Sequence, residues 1–84
     1  MSENVEQRVR GFIIERFLFG QGGEDLKNTD SLLQKGIIDS TGALEVVSFL
    51  EEEYGINVED KELIPDNLDG IGRIAAFVGR KMTK

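Results

Sequence analysis

Residues 36–56 read GIIDSTGALEVVSFLEEEYGI, and the fold turns on how this stretch is read. Gly36 closes a turn that delivers Asp39 and Ser40 to the start of a helix. Asp39 suits the N-cap, because a carboxylate there accepts from the unpaired amides of the first turn. Ser40 then takes the first helical position, the helix is predicted to run to Tyr54, and Gly55 is its C-cap. Helical spacing places Leu44, Val47, Leu50 and Tyr54 toward the core, with Val46 and Phe49 flanking that stripe. Gly42 in the first turn costs about 1 kcal/mol against Ala, which is tolerable so near the end. No Lys or Arg occurs between Gly36 and Asp60, whereas Asp39, Glu45, Glu51, Glu52, Glu53, Glu59 and Asp60 all lie there. The helix is built to present one serine and a negative surface to other proteins.

Working outward, Ser2 to Phe19 is predicted as a first helix. Ser2 is its cap, Val5, Val9, Phe12, Ile13, Phe17 and Leu18 form its apolar face, and Gly20 is a left-handed stop. Residues 21–38 form a long connection. Gly22 and Gly23 are flexible, while Leu26, Leu32, Leu33, Ile37 and Ile38 pin it to the core. Asp30 is expected to cap a short helical turn, Leu33 to Lys35. Beyond Gly55, Ile56 and Val58 tuck inward. Asp60 caps a short helix, Lys61 to Ile64, which Pro65 ends. A last helix begins near Asn67 or Asp69 and runs to about Lys81, with Ile71, Ile74, Phe77 and Val78 as its stripe. The expected fold is all-α: a small four-helix bundle of three main helices and one short one, in a single domain spanning residues 1–84.

Composition narrows the function. The 84 residues contain no Cys and no His. Thiolate ligands and disulfides are ruled out, and so are the Ser-His and Cys-His nucleophile pairs. A self-sufficient hydrolase or metal site is therefore not expected, and the span from Asp39 to Glu45 lacks the oxygen-ligand spacing of a calcium loop. Sixteen acidic residues against ten basic ones leave a net charge of −6. Nucleic acid and anionic membranes would be repelled, and basic protein surfaces attracted. Charges interrupt the apolar residues of the N-terminal stretch, so neither a signal peptide nor membrane insertion is expected, and the cytoplasm is the expected location. A monomer is the simplest expectation.

Serine at a helix start is ordinarily a cap. Here Asp39 can fill that role, which leaves the Ser40 hydroxyl projecting beside free backbone amides. A phosphate esterified to it would meet donors and favourable partial charge. No His or Lys is adjacent to activate the hydroxyl, so another enzyme would have to make the ester. Phe12, Phe17, Phe49, Phe77 and Tyr54 read as core or core edge, and Arg8, Arg10 and Arg16 as helix-surface charges.

The whole stretch is more specific than the Asp-Ser pair. Gly36, Asp39, Ser40, Leu44, Glu45, Val46, Leu50, Glu51, Glu52, Tyr54, Gly55 and Ile56 together resemble the acyl carrier protein family, including the peptidyl and aminoacyl carriers. Asp30, Ser31, Leu32 and Leu33 look like that family's loop approaching the serine, and Ile74 to Val78 look like its final helix. The resemblance implies a covalent 4′-phosphopantetheine on Ser40, installed from coenzyme A by a phosphopantetheinyl transferase. It also implies an acyl or aminoacyl cargo held as a thioester, and no enzymatic activity of the chain's own. The implied partners are a loading ligase and downstream transferases with basic docking surfaces, which would meet Asp39, Thr41, Glu45, Glu51 and Glu52. Thr41 and Gly42 stand where many fatty-acid carriers have Leu and an acid. Ile37, Ile38, Pro65, Asn67 and Leu68 look more like stand-alone carriers of specialised or ligase-loaded pathways. The alternative is an unmodified acidic helical module that binds a basic partner.

Overall fold

The last helix is the hub of the bundle. Ile71, Ile74, Phe77 and Val78 recur at three- and four-residue steps, and all four are buried. Such a stripe holds a helix in place only if other elements cover it. In the computed structural model, which describes residues 5–20 and 26–82, it packs against each of the other helices. Those helices are α1 (Val5–Phe17), α2 (Ser40–Tyr54) and the single-turn α3 (Pro65–Leu68); the hub is α4 (Ile71–Met82). A 3-10 turn at Asp60–Glu62 completes the described secondary structure. The protein is thus an all-α bundle of three main helices and one short one, as predicted. No helix among the described residues is long and apolar enough to cross a membrane.

In α1, Val9 and Ile13 are fully buried and Val5, Phe12 and Phe17 pack against the core. The helix stops at Phe17, two residues before the predicted end. The amides of Leu18 and Gly20 both return to the Ile14 carbonyl, and Phe19 and Gly20 take left-handed backbone angles (φ 54° and 82°). The predicted cap at Ser2 and the flexible Gly22 and Gly23 lie outside the described residues. Leu26, Leu32 and Ile38 fasten the connection to the core, whereas Leu33 is 42% exposed. Ser31, rather than Asp30, caps the turn at residues 32–36. Its Oγ accepts from the Gln34 amide at 3.1 Å, while the Asp30 carboxylate accepts from the Lys27 amide. Asp30 is occupied with the turn before it, and Ser31 stands at the correct spacing for the turn after it.

The boundaries and caps of α2 are those predicted. The Asp39 carboxylate accepts from the Gly42 amide at 2.7 Å, and Gly55 (φ 68°) closes the far end. The buried face is turned from the predicted one. Gly42, Val46 and Leu50 face the core, Val47 and Tyr54 lie at its edge, and Leu44 is 54% exposed. The cause is α1. A Cβ on Gly42 would lie 3.1 Å from the Phe17 ring and 3.2 Å from the Ile38 Cβ, so only glycine admits this approach without displacement. Further along, the Phe12 and Phe49 rings stack with centroids 4.2 Å apart. Together these contacts set the rotation of α2.

After Gly55 the structure departs from the predicted Lys61–Ile64 helix. Glu59, not Asp60, stands at the cap of the 3-10 turn: its amide donates to Glu62 Oε1 at 2.9 Å, and the Glu62 amide returns to the Glu59 carbonyl at 2.9 Å. Pro65 begins α3 instead of ending a helix. Proline lacks an N–H that the first helical position does not use, and it holds Ile64 extended ahead of it. The last helix accordingly begins at Ile71, after a corner at Asp69 and Gly70.

Candidate functional site

Asp39 and Ser40 sit at the exposed N-terminal end of α2. The Asp39 carboxylate takes the Gly42 amide and its carbonyl takes that of Ala43, at 2.8 Å. The Ser40 and Thr41 amides precede the first intrahelical bond, so they add their partial positive charge to the space around the Ser40 hydroxyl. Thr41 is exposed as well. The cap is therefore supplied by Asp39, and Ser40 is left available, as expected from the order of the two residues.

Beside Ser40 opens a groove of about 370 Å³. Leu33, Ile38, Ala43, Leu44, Leu63, Ile64, Pro65 and Leu68 make it almost wholly apolar, and Ser40 and Asp69 are its polar lining residues. Leu33, Leu44, Ile64 and Pro65 are the exposed members of this wall. Periodicity points Leu44 to the core and Leu33 to the loop's anchoring set, and neither reading predicts a groove. The available signal was an excess of apolar residues on α2: Leu44 stands two positions from Val46, off the face shared by Gly42, Val46 and Leu50.

The acidic residues of α2 divide into groups that the sequence does not separate. Glu45 accepts from the Nε of Arg16 at 2.6 Å, and Glu53 pairs with Arg8. Glu51 is turned to the helix end, where it accepts from the Val58 amide at 2.9 Å and holds the chain after Gly55. Asp39 is committed to the cap but remains exposed, and Glu52 is exposed with no ion pair among the described residues. Asp39 thus stands beside Ser40, Glu45 is shared with α1, and Glu52 lies more than three turns further along α2, about 18 Å from Ser40. Exposed pairs of this kind contribute only ~0–1 kcal/mol, so a partner can displace them readily.

Of the three arginines read as surface charges, Arg8 and Arg16 fit that role. Arg10 instead reaches into the long connection, donating to the Leu26 carbonyl at 2.5 Å and to Asn28 Oδ1 at 2.6 Å. It fastens the loop from which the groove wall is built. No protein-family model matches the chain.

Proposed function

We propose that the protein is a carrier in the manner of acyl carrier proteins, bearing 4′-phosphopantetheine on Ser40. The observation that carries this reading is the join between an exposed serine and an apolar groove. Ser40 lies at the first turn of α2, its capping duty is taken by Asp39, and it lines the mouth of a groove walled by Leu33, Leu44, Leu63 and Ile64. These residues fit the group. The Ser40 and Thr41 amides favour a phosphodiester, and the apolar walls can shelter an attached aliphatic chain. When bound, the group supplies a thiol for thioester chemistry, which a chain without cysteine lacks.

The chain's own part is to orient and present. The helix start holds the ester in place, the groove receives cargo, and Asp39, Thr41, Glu45 and Glu52 face enzymes with basic docking surfaces. Glu51 contributes charge to the same helix while serving its turn. Weak attraction by several exposed charges suits a shuttle, because it speeds encounter and fixes orientation without making binding tight. In this reading the protein is cytoplasmic and is a substrate of other enzymes rather than an enzyme. A ligase or transferase loads the cargo, which is a fatty acyl, polyketide or aminoacyl group in lipid or specialised-metabolite biosynthesis.

The test is intact mass after incubation with coenzyme A and a promiscuous phosphopantetheinyl transferase, with Ser40→Ala in parallel. One phosphopantetheine should add to the parent and none to the variant. No addition, under conditions that modify a control carrier, would sink the proposal and favour an unmodified acidic module.

A further inference from the structure

One part of the groove wall beside Ser40, the turn that carries Leu33, is tied by a carboxylate to a distant part of the chain. Asp69, at the corner between α3 and α4, accepts from the Ser31 hydroxyl at 2.5 Å and from the Leu33 amide at 2.8 Å. Leu33 lines the groove and is 42% exposed, so no burial in the core holds it there. The corner that carries Asp69 is itself seated on the same loop. Gly72 donates its amide to the Asn28 carbonyl at 3.0 Å. Gly70 has φ 152°, and a Cβ there would stand 3.2 Å from the Asp30 carbonyl oxygen. From Leu33 the turn runs directly into the site, since the Ile37 and Ile38 amides return to the Leu32 carbonyl and Asp39 and Ser40 follow.

We propose that Asp69 is a positioning residue: its carboxylate latches the Ser31–Gly36 turn so that Leu33 stands as the wall of the groove at Ser40. Ser31 and Leu33 are both satisfied by one anionic acceptor, so its removal releases the wall without opening the core. The consequence for modification of Ser40 rests on the carrier reading. A transferase docking on an unlatched turn meets the competent arrangement in only a fraction of molecules. Its KM for this protein then rises while kcat stays the same.

The experiment measures amide hydrogen exchange in the unmodified, isotope-labelled full chain for the parent, Asp69→Ala, Asp69→Asn and Ser31→Ala. Loss of a hydrogen bond to a charged acceptor corresponds to faster exchange by about tenfold or more. Asp69→Ala should show that acceleration at Leu33, with Val46, Leu50 and Ile74 unchanged. Asp69→Asn keeps one acceptor oxygen and should fall between, and Ser31→Ala should leave the Leu33 bond in place. In parallel, transferase kinetics with coenzyme A should show a raised KM for Asp69→Ala, partly restored in Asp69→Asn.

Unchanged exchange at Leu33 would overturn the latch. So would acceleration spread equally over the core amides, which would make Asp69 a general stabiliser. A released Leu33 with unaltered KM would overturn its role toward Ser40. A parent that takes no phosphopantetheine overturns the carrier reading instead, and the exchange comparison then decides the latch alone.

Discussion

The rotation of α2 can be tested by truncating two of its residues that lie two positions apart. Val46 is fully buried, and Val46→Ala removes two methyl-sized groups from the core. At about 0.8 kcal/mol per group the transfer loss is about 1.6 kcal/mol, and the unfilled space adds to it. Alanine's better helix propensity returns a few tenths, so the net loss is about 2 kcal/mol. Leu44 is 54% exposed. Full burial of leucine stabilises by roughly 1.5–3 kcal/mol, so about half of that, ~1 kcal/mol, is the ceiling for Leu44→Ala before the propensity gain. In a domain of this size each kcal/mol moves the midpoint by about 4–8 °C, which predicts a fall of roughly 8–16 °C for Val46→Ala and under about 8 °C for Leu44→Ala. Urea unfolding followed by far-ultraviolet circular dichroism, with equal slopes for both variants, measures the difference. A Leu44→Ala loss equal to or larger than that of Val46→Ala would refute the orientation of α2 and the groove wall with it.

Three further outcomes are expected. Gly42→Ala should lower stability by about 1 kcal/mol, because crowding against Phe17 and Ile38 outweighs the helix-propensity gain; a higher urea midpoint would contradict the close approach. The Glu59 amide, and after it the Lys81 ammonium, hold the Glu62 carboxyl below its ordinary value of 4.5. The resulting stabilisation is present above that value and is lost as pH falls through the lower folded one, so Glu62→Gln should flatten the acid side of the stability profile. Profiles of equal steepness would show that this carboxylate has no such linkage. Raising ionic strength should slow modification of Ser40, and neutralising Glu52 should reduce that salt sensitivity, since exposed charges are screened over about 8–10 Å at physiological salt. Rates indifferent to both changes would remove α2's charges from the docking surface.

Much of the fold was legible because its signals are local. Asp39 reads as a cap and Gly55 as a stop because each works on amides or carbonyls within one helical turn, and both do so. The stripe of α4 is equally plain, with Ile71, Ile74, Phe77 and Val78 confined to one side of a helix otherwise small or charged up to its terminal Met82. The exposed Asp39–Ser40 pair follows from the same local order. In α2, by contrast, Ala43, Leu44, Val46, Val47, Phe49, Leu50 and Tyr54 cover much of the circumference, and periodicity alone selects no unique face. The choice falls to tertiary packing: Phe17 against Gly42 and Phe12 on Phe49 bury Val46 and leave Leu44 to the groove. Pro65 is ambiguous for a similar reason, since the residue that stops one helix can equally start another. The roles of Glu45, Glu51 and Asp69 were also beyond a reading of the chain. A carboxylate's partner depends on which backbone or guanidinium the fold brings within about 3 Å, and for Asp69 those donors lie 36 and 38 residues away. Sequence determined the bounds and caps of α2, the stripe of α4 and the order that leaves Ser40 beside its cap; packing over long distances along the chain decided the remaining boundaries and what surrounds that serine.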